Sequence, residues 1–140
     1  MIIKKISKKP LVSFIISVYN EEEHILNCLR SLLNQDYEKI EIVVTDDGSH
    51  DSTVEIIKEI AHQNKNIIFV QQHHRGMAQG WNNSFKHSHG EIVIMYGADM
   101  VAGKSFVGDM IQPIVLGDAL GTYPAKEIIK IAHDFNSLVM

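Results

Sequence analysis

With one cysteine among 140 residues, the chain cannot close an internal disulfide, and Cys28 alone cannot build a zinc or iron–sulfur framework. A reducing, cytoplasmic setting is therefore expected. Three prolines and nine glycines are too few for a collagen-like or low-complexity chain, and 45% apolar residues are ordinary for a packed core. Basic excess is missing as well: 13 Lys and Arg against 17 Asp and Glu give a net charge of −4, which offers no field for a nucleic-acid backbone. No nucleic-acid partner is expected. The apolar stretch from Leu11 to Tyr19 is far shorter than the ~20 residues a membrane helix needs, and Glu21, Glu22 and Glu23 follow it without a small-residue cleavage site. The reading is a basic tail over 1–10 and a single domain over 11–140. Lys4, Lys5, Lys8 and Lys9 of the tail allow at most peripheral contact with the inner face of a membrane.

Four short apolar runs are present, Val12–Val18, Ile40–Val44, Ile67–Val70 and Ile92–Tyr96, and stretches with helical spacing separate them. Asn20 is placed to cap a first helix carrying Ile25, Leu26, Leu29, Leu32 and Leu33 on one face. Ser52 with Glu55 has the spacing of a capping box ahead of Val54, Ile57, Ile60 and Ala61. Ala78, Trp81 and Phe85 share a face of a third helix and read as core, with Gly90 as its left-handed stop. Near-continuous Ile/Val runs joined by helices predict a doubly wound α/β domain, with a mostly parallel sheet and helices on both faces. Beyond Val101, a helix through Phe106, Val107, Met110, Ile111 and Ile114 should end or kink near Pro113. A fifth strand over Ala119–Tyr123 and an amphipathic helix over Pro124–Val139 complete the expectation.

In such a sheet, ligands bind beyond the carboxyl ends of the strands. The residues there include Tyr19, Glu21, Asp46, Asp47, His74, Arg75 and Asp99. Asp46 or Asp47 with Asp99 has the chemistry of a ribose acceptor and an oxygen ligand for Mg²⁺ or Mn²⁺, and Arg75 that of a phosphate partner.

The stretches VSFIISVYNEEEHILNCLRSLLNQDYEKIEIVVTDDGSHDST and RGMAQGWNNSFKHSHGEIVIMYGAD closely resemble the family 2 glycosyltransferases, over about residues 11–115. That resemblance implies a GT-A fold, Rossmann-like, that binds a nucleotide-diphosphate sugar for metal-assisted transfer to a sugar, lipid-phosphate or protein acceptor, in most members with inversion. It places Ser17, Tyr19 and Glu21 around the nucleoside, Asp46 on the base, and Asp99 as the metal carboxylate of the D-x-D motif. Gly97 stands where the first Asp of that motif belongs, and Met100 replaces the acidic residue that often follows. The family's acceptor-binding half with its catalytic-base Asp has no match after Asp99; Asp109, Asp118 and Asp134 are the later aspartates. Self-association is expected where the uncovered sheet would expose apolar surface.

Two other classes compete. The stretch Gly97–Ser105 nearly spells a P-loop, but five residues rather than four separate its glycines. A non-catalytic nucleotide-sugar-binding or regulatory module would keep the pocket and lack turnover. The eight histidines form no recognised zinc spacing, and only His74 lies beside the candidate loops. Cys28, among Leu26, Leu29 and Leu32, reads as a buried side chain.

Overall fold

A computed structural model describes residues 5–122 and the backbone of 129–131. The β-branched runs form strands β1 (Val12–Val18), β2 (Ile40–Asp46), β3 (Ile67–Gln71) and β4 (Ile92–Gly97). Between them lie helices α1 (Ile25–Leu33), α2 (Thr53–Gln63) and α3 (Met77–Lys86); a short β5 (Met100–Ala102), α4 (Phe106–Val115) and β6 (Ile129–Ile131) follow. The four long strands pair in parallel in the order β3-β2-β1-β4, the arrangement expected of strand–helix alternation.

Alternation along β1 sorts the core. Val12, Phe14, Ile16 and Val18 join Cys28, Leu29, Ile57, Phe106 and Val107 in one apolar cluster, so α1, α2 and α4 cover that face. Phe14, Tyr96 and Phe106 form an aromatic trio there, with ring centroids 5.5, 6.3 and 5.7 Å apart, each such pair contributing about 0.5–1.5 kcal/mol. The opposite face carries α3, which packs on β1 and β2 through Gly80 and Ser84. Helices thus lie on both faces, as expected. Ser84 Oγ donates to the Ile16 carbonyl at 2.9 Å and bonds Thr45 Oγ1 at 2.8 Å, which seats the helix at hydrogen-bond distance from the sheet.

That seat overturns the predicted face of α3. Ala78 is exposed and Phe85 is 58% exposed, while Trp81 is half-buried, because close approach selects the small residues and turns the large ones outward. Gly90 is not a left-handed cap. Its φ is not positive; a Cβ there would lie 2.7 Å from the Ser13 backbone nitrogen, so close chain approach explains the glycine. Neither predicted N-cap forms: α1 starts at Ile25 after His24, and Ser52 makes no side-chain cap. The Asn20 side chain accepts from His50 N in the loop after β2 instead, and the Ser52 backbone N–H donates to Glu22.

The fifth strand is at Met100–Ala102, and residues 119–122 form none, since they are spent on closing α4. Pro113 sits in the last turn of that helix, where it forfeits a single bond; Leu116 N–H resumes with Gln112 O at 3.0 Å, and Asp118 and Ala119 donate back to Pro113 O. Within the predicted terminal helix, Ile129–Ile131 is a strand antiparallel to β5, because the exposed β5 edge offers it a backbone ladder; the rest of Pro124–Val139 lies outside the described residues. The P-loop alternative fails on the same ground, since β5 runs between its two glycines.

The last part of the basic tail is tied to the domain. Ser7 donates to Glu91, Lys9 pairs with Glu38 at 2.9 Å, and buried Pro10 accepts from Tyr37. Among the described residues, no helix is long and apolar enough to cross a membrane.

Candidate functional site

Parallel strands deliver their ends to one edge, and there the loops after β1, β2, β3 and β4 enclose a cleft of about 640 Å³. Ser17, Tyr19, Glu21, Asp47 and Asp99 line it together with His74, Trp81, Met95, Tyr96 and Met100. Five of the seven expected site residues therefore meet. Asp46 and Arg75 do not line the cleft.

Asp46 turns away because consecutive residues of an extended strand point to opposite sides. Its Oδ2 accepts from the N–H groups of Gly48 and Ser49, so it shapes the loop from within; its Oδ1 is buried without a partner among the described residues. Gly48, at φ +83°, supplies the left-handed step that this turn requires. Asp47 takes the cleft side. It is 2% exposed and accepts from Gln72 Nε2 at 2.8 Å, Arg75 N at 2.7 Å and Gly76 N at 3.0 Å, with His74 Nδ1 at 2.9 Å. Burial pushes its carboxyl up, but the bonds from Gln72, Arg75 and Gly76 and the His74 charge outweigh that and hold it below the usual range. Arg75 thus contributes its backbone rather than its guanidinium.

The loop after β1 is braced by the residues after Asp47. Asn20, at φ 51°, donates from its N–H to Ser49 Oγ and accepts from His50 N; Glu21 N donates to Thr53 Oγ1, and Glu22 N to Asp51. Asp51 also accepts from Thr53 N, which satisfies the start of α2 in place of a Ser52 cap. These bonds hold Tyr19, whose ring lies 4.4 Å from that of His74 at a 36° tilt. Glu21 Oε2 pairs with His24 Nδ1 at 2.9 Å.

The apolar wall escaped the sequence reading. Trp81 and Tyr96 carry the periodicity of core residues, and nothing local shows that α3 stops short of β4. Behind the Gly97–Asp99 turn, Cys28 Sγ donates to Gly97 O at 3.5 Å. Burial pushes that thiol far above its ordinary range, with the Asp99 charge adding to it.

No three His, Cys, Asp or Glu side chains come together as a metal site among the described residues. Asp99 offers one exposed carboxylate. Since Mg²⁺ and Mn²⁺ keep waters and take one or two carboxylates plus substrate phosphates, this donor set fits a cation arriving with a diphosphate and not one caged by protein alone.

A profile of glycosyl transferase family 2 matches residues 13–136. The chain belongs to glycosyl transferase family 2. Glycosyltransferase GlyA of Streptococcus pneumoniae serotype 4 is 32% identical over 104 residues, 74% of this chain and 15% of that protein. Residues 1–349 of Staphylococcus aureus TarS in complex with UDP-GlcNAc superpose with a TM-score of 0.65 at 32% identity, covering 70% of this chain and 29% of that TarS chain. Mannosyltransferase PcManGT from Pyrobaculum calidifontis, in complex with GDP-Man and Mn²⁺, gives 0.64 at 32%, over 67% and 29%. The fold is GT-A. The chain spans between 15% and 33% of the length of the first curated relatives it matches.

Proposed function

We propose that this family 2 domain binds a nucleotide-diphosphate sugar in the cleft and serves transfer of that sugar to an acceptor hydroxyl. The carrying observation is the convergence of Ser17, Tyr19, Glu21, Asp47 and Asp99, from the ends of three strands, on one cleft. The nucleoside lies against Tyr19 and His74, with Ser17 and Glu21 as its polar contacts, while Asp47 holds the loop that carries His74. A Mg²⁺ or Mn²⁺ ion on Asp99, when bound with the donor, offsets charge developing on the leaving diphosphate. The UDP-GlcNAc complex of TarS and the GDP-Man and Mn²⁺ complex of PcManGT support this reading.

Direct displacement with inversion needs a base for the acceptor proton. The cleft's carboxylates are Glu21, Asp47 and Asp99, of which Asp47 is saturated by donors and Glu21 is paired with His24. Asp109 and Asp118 are exposed and do not line the cleft, and Asp134 lies outside the described residues. That arrangement favours a second reading, a binding module that captures donor without turnover. The acceptor, whether sugar, lipid phosphate or protein, has no assigned contact. Exposed Met77, Phe85 and Met95 support self-association, which light scattering over a concentration series reads.

The test is a thermal-shift panel of UDP, GDP, TDP and CDP with and without Mn²⁺. A nucleotide at 100 times its Kd adds about 2.7 kcal/mol to the stability of the state it binds. One nucleotide should raise the melting temperature, more so with Mn²⁺. No shift with any of the four overturns the reading.

A further inference from the structure

The cleft is short of positive charge. Glu21, Asp47 and Asp99 line it, whereas no lysine or arginine does among the described residues, since Arg75 gives its backbone and not its guanidinium. A nucleotide-diphosphate sugar brings two further negative charges, of which a divalent ion on Asp99 offsets a part. His74 is the one basic side chain that lines the cleft among the described residues. Its ring is held in place: Nδ1 lies 2.9 Å from Asp47 Oδ2 and 3.1 Å from the Asp47 carbonyl oxygen, and the Tyr19 ring packs on it at a centroid distance of 4.4 Å. A carboxylate and a carbonyl only accept, so Nδ1 carries a proton. Nε2 has no partner among the described residues, and the side chain is 60% exposed, open to a ligand in the cleft.

An imidazole tied down at Nδ1 has two states with opposite chemistry at Nε2. Neutral, it accepts from an N–H of a base; protonated, it donates to an oxygen and carries charge. Asp47 supplies the counter-charge for the protonated state, and a phosphate oxygen is the acceptor that makes the strongest bond with it. Resting on the nucleotide-sugar reading above, we propose that His74, positioned by Asp47, is the cationic contact of the donor diphosphate and complements the metal on Asp99. It selects a ligand that bears a diphosphate over the bare nucleoside.

The chain is titrated calorimetrically with UDP-glucose, GDP-mannose, uridine and guanosine in the presence of Mn²⁺, from about pH 8 down to about pH 6, the range in which imidazole changes charge. Both phosphates of a sugar nucleotide are esterified and keep their charge there, and carboxylates and phenols ordinarily titrate outside it. The groups facing His74 are Asp47 and Tyr19, with Glu21, Asp99 and Tyr96 elsewhere in the lining; His24 pairs with Glu21, and His73 precedes His74 in the chain. Substitution at position 74 separates the histidines. The sugar nucleotide that binds should gain about 10-fold in affinity as pH falls, the effect of one charge-assisted hydrogen bond, and its nucleoside should gain nothing. His74→Gln keeps a donor without the charge and should lose that gain. His74→Lys keeps a cation and should hold the affinity at both ends of the range. Melting is checked for both variants, and the parent's own pH profile decides even where a variant is unstable. Flat affinity in the parent, affinity that rises with pH as a neutral His74 reading the base would give, or a gain that survives His74→Gln overturns the inference while nucleotide binding stands. Binding of neither sugar nucleotide overturns the nucleotide-sugar reading and the inference together.

Discussion

Replacing Gly80 by alanine sets two ordinary rules against each other. In the interior of a helix, alanine is about 1 kcal/mol better than glycine. In this helix, however, a Cβ on residue 80 would lie 2.7 Å from Ser17 Cβ and 3.6 Å from Ser17 Cα. Ser17 Oγ, also in the way, can rotate about χ1. Its Cβ cannot, because the β1 backbone fixes it between β2 and β4. Carbon atoms rest about 3.5–4.0 Å apart, so α3 must lift by roughly 1 Å. Such overpacking typically costs about 1–3 kcal/mol and here also stretches the Ser84 bonds to Ile16 and Thr45. The net expectation is a loss of about 1–2 kcal/mol, read as a lower urea midpoint at unchanged slope. Ser17→Gly removes the obstructing atoms, so in that background Gly80→Ala should be neutral or stabilising. A double-mutant cycle with a coupling below about 0.5 kcal/mol, or a single mutant more stable than the parent, would refute the packing argument.

Asp99→Ala should abolish the Mn²⁺-dependent part of nucleotide binding and leave melting unchanged, since the side chain is exposed; equal affinity with Mn²⁺ present would sink that role. Gly97→Asp should strengthen metal-dependent binding, because the atom nearest its Cβ, Met100 Sδ at 2.8 Å, belongs to a flexible side chain that can yield; calorimetry with and without Mn²⁺ decides it. Asp47 titrates below its ordinary value in the folded state, so its stabilising contribution is complete above about pH 4 and is lost as pH falls through the folded value. Acid unfolding followed by circular dichroism should therefore be shallower in Asp47→Asn, which should also lose about 1–3 kcal/mol at neutral pH by setting an amide N–H against three donors. Cys28 should resist a thiol reagent in the folded chain and react fully in denaturant; rapid modification of the native protein would contradict its burial.

Strands and helices were legible because their signal is local. Val12–Val18 is bounded by the same residues in both readings, and the other three runs differ only by their carboxyl-terminal extension by one or two residues. The site was legible in the same way, since parallel strands carry whatever follows them to a common edge; Tyr19, Glu21, Asp47 and Asp99 needed no more than their position after a strand. Capping was misread for a different reason. Asn20 and Ser52 have the composition of helix starts, but tertiary approach of two loops gave the Asn20 side chain the His50 N–H instead, and Asp51 rather than Ser52 took the Thr53 N–H.

Periodicity and strand-end position thus settled the α/β architecture and the edge at which the cleft opens, because each depends on residues near one another in the chain. Only the assembled sheet decided which of two adjacent aspartates faces the cleft, since strand pairing sets the pleat to which each belongs. It also decided the fate of α3. An apolar stripe reads as core wherever it occurs, but α3 packs on β1 and β2 through Gly80 and Ser84, leaving Trp81 to line the wall of the cleft. Burial on that face follows from how closely a helix can approach its neighbours, a distance that no single segment of the sequence carries.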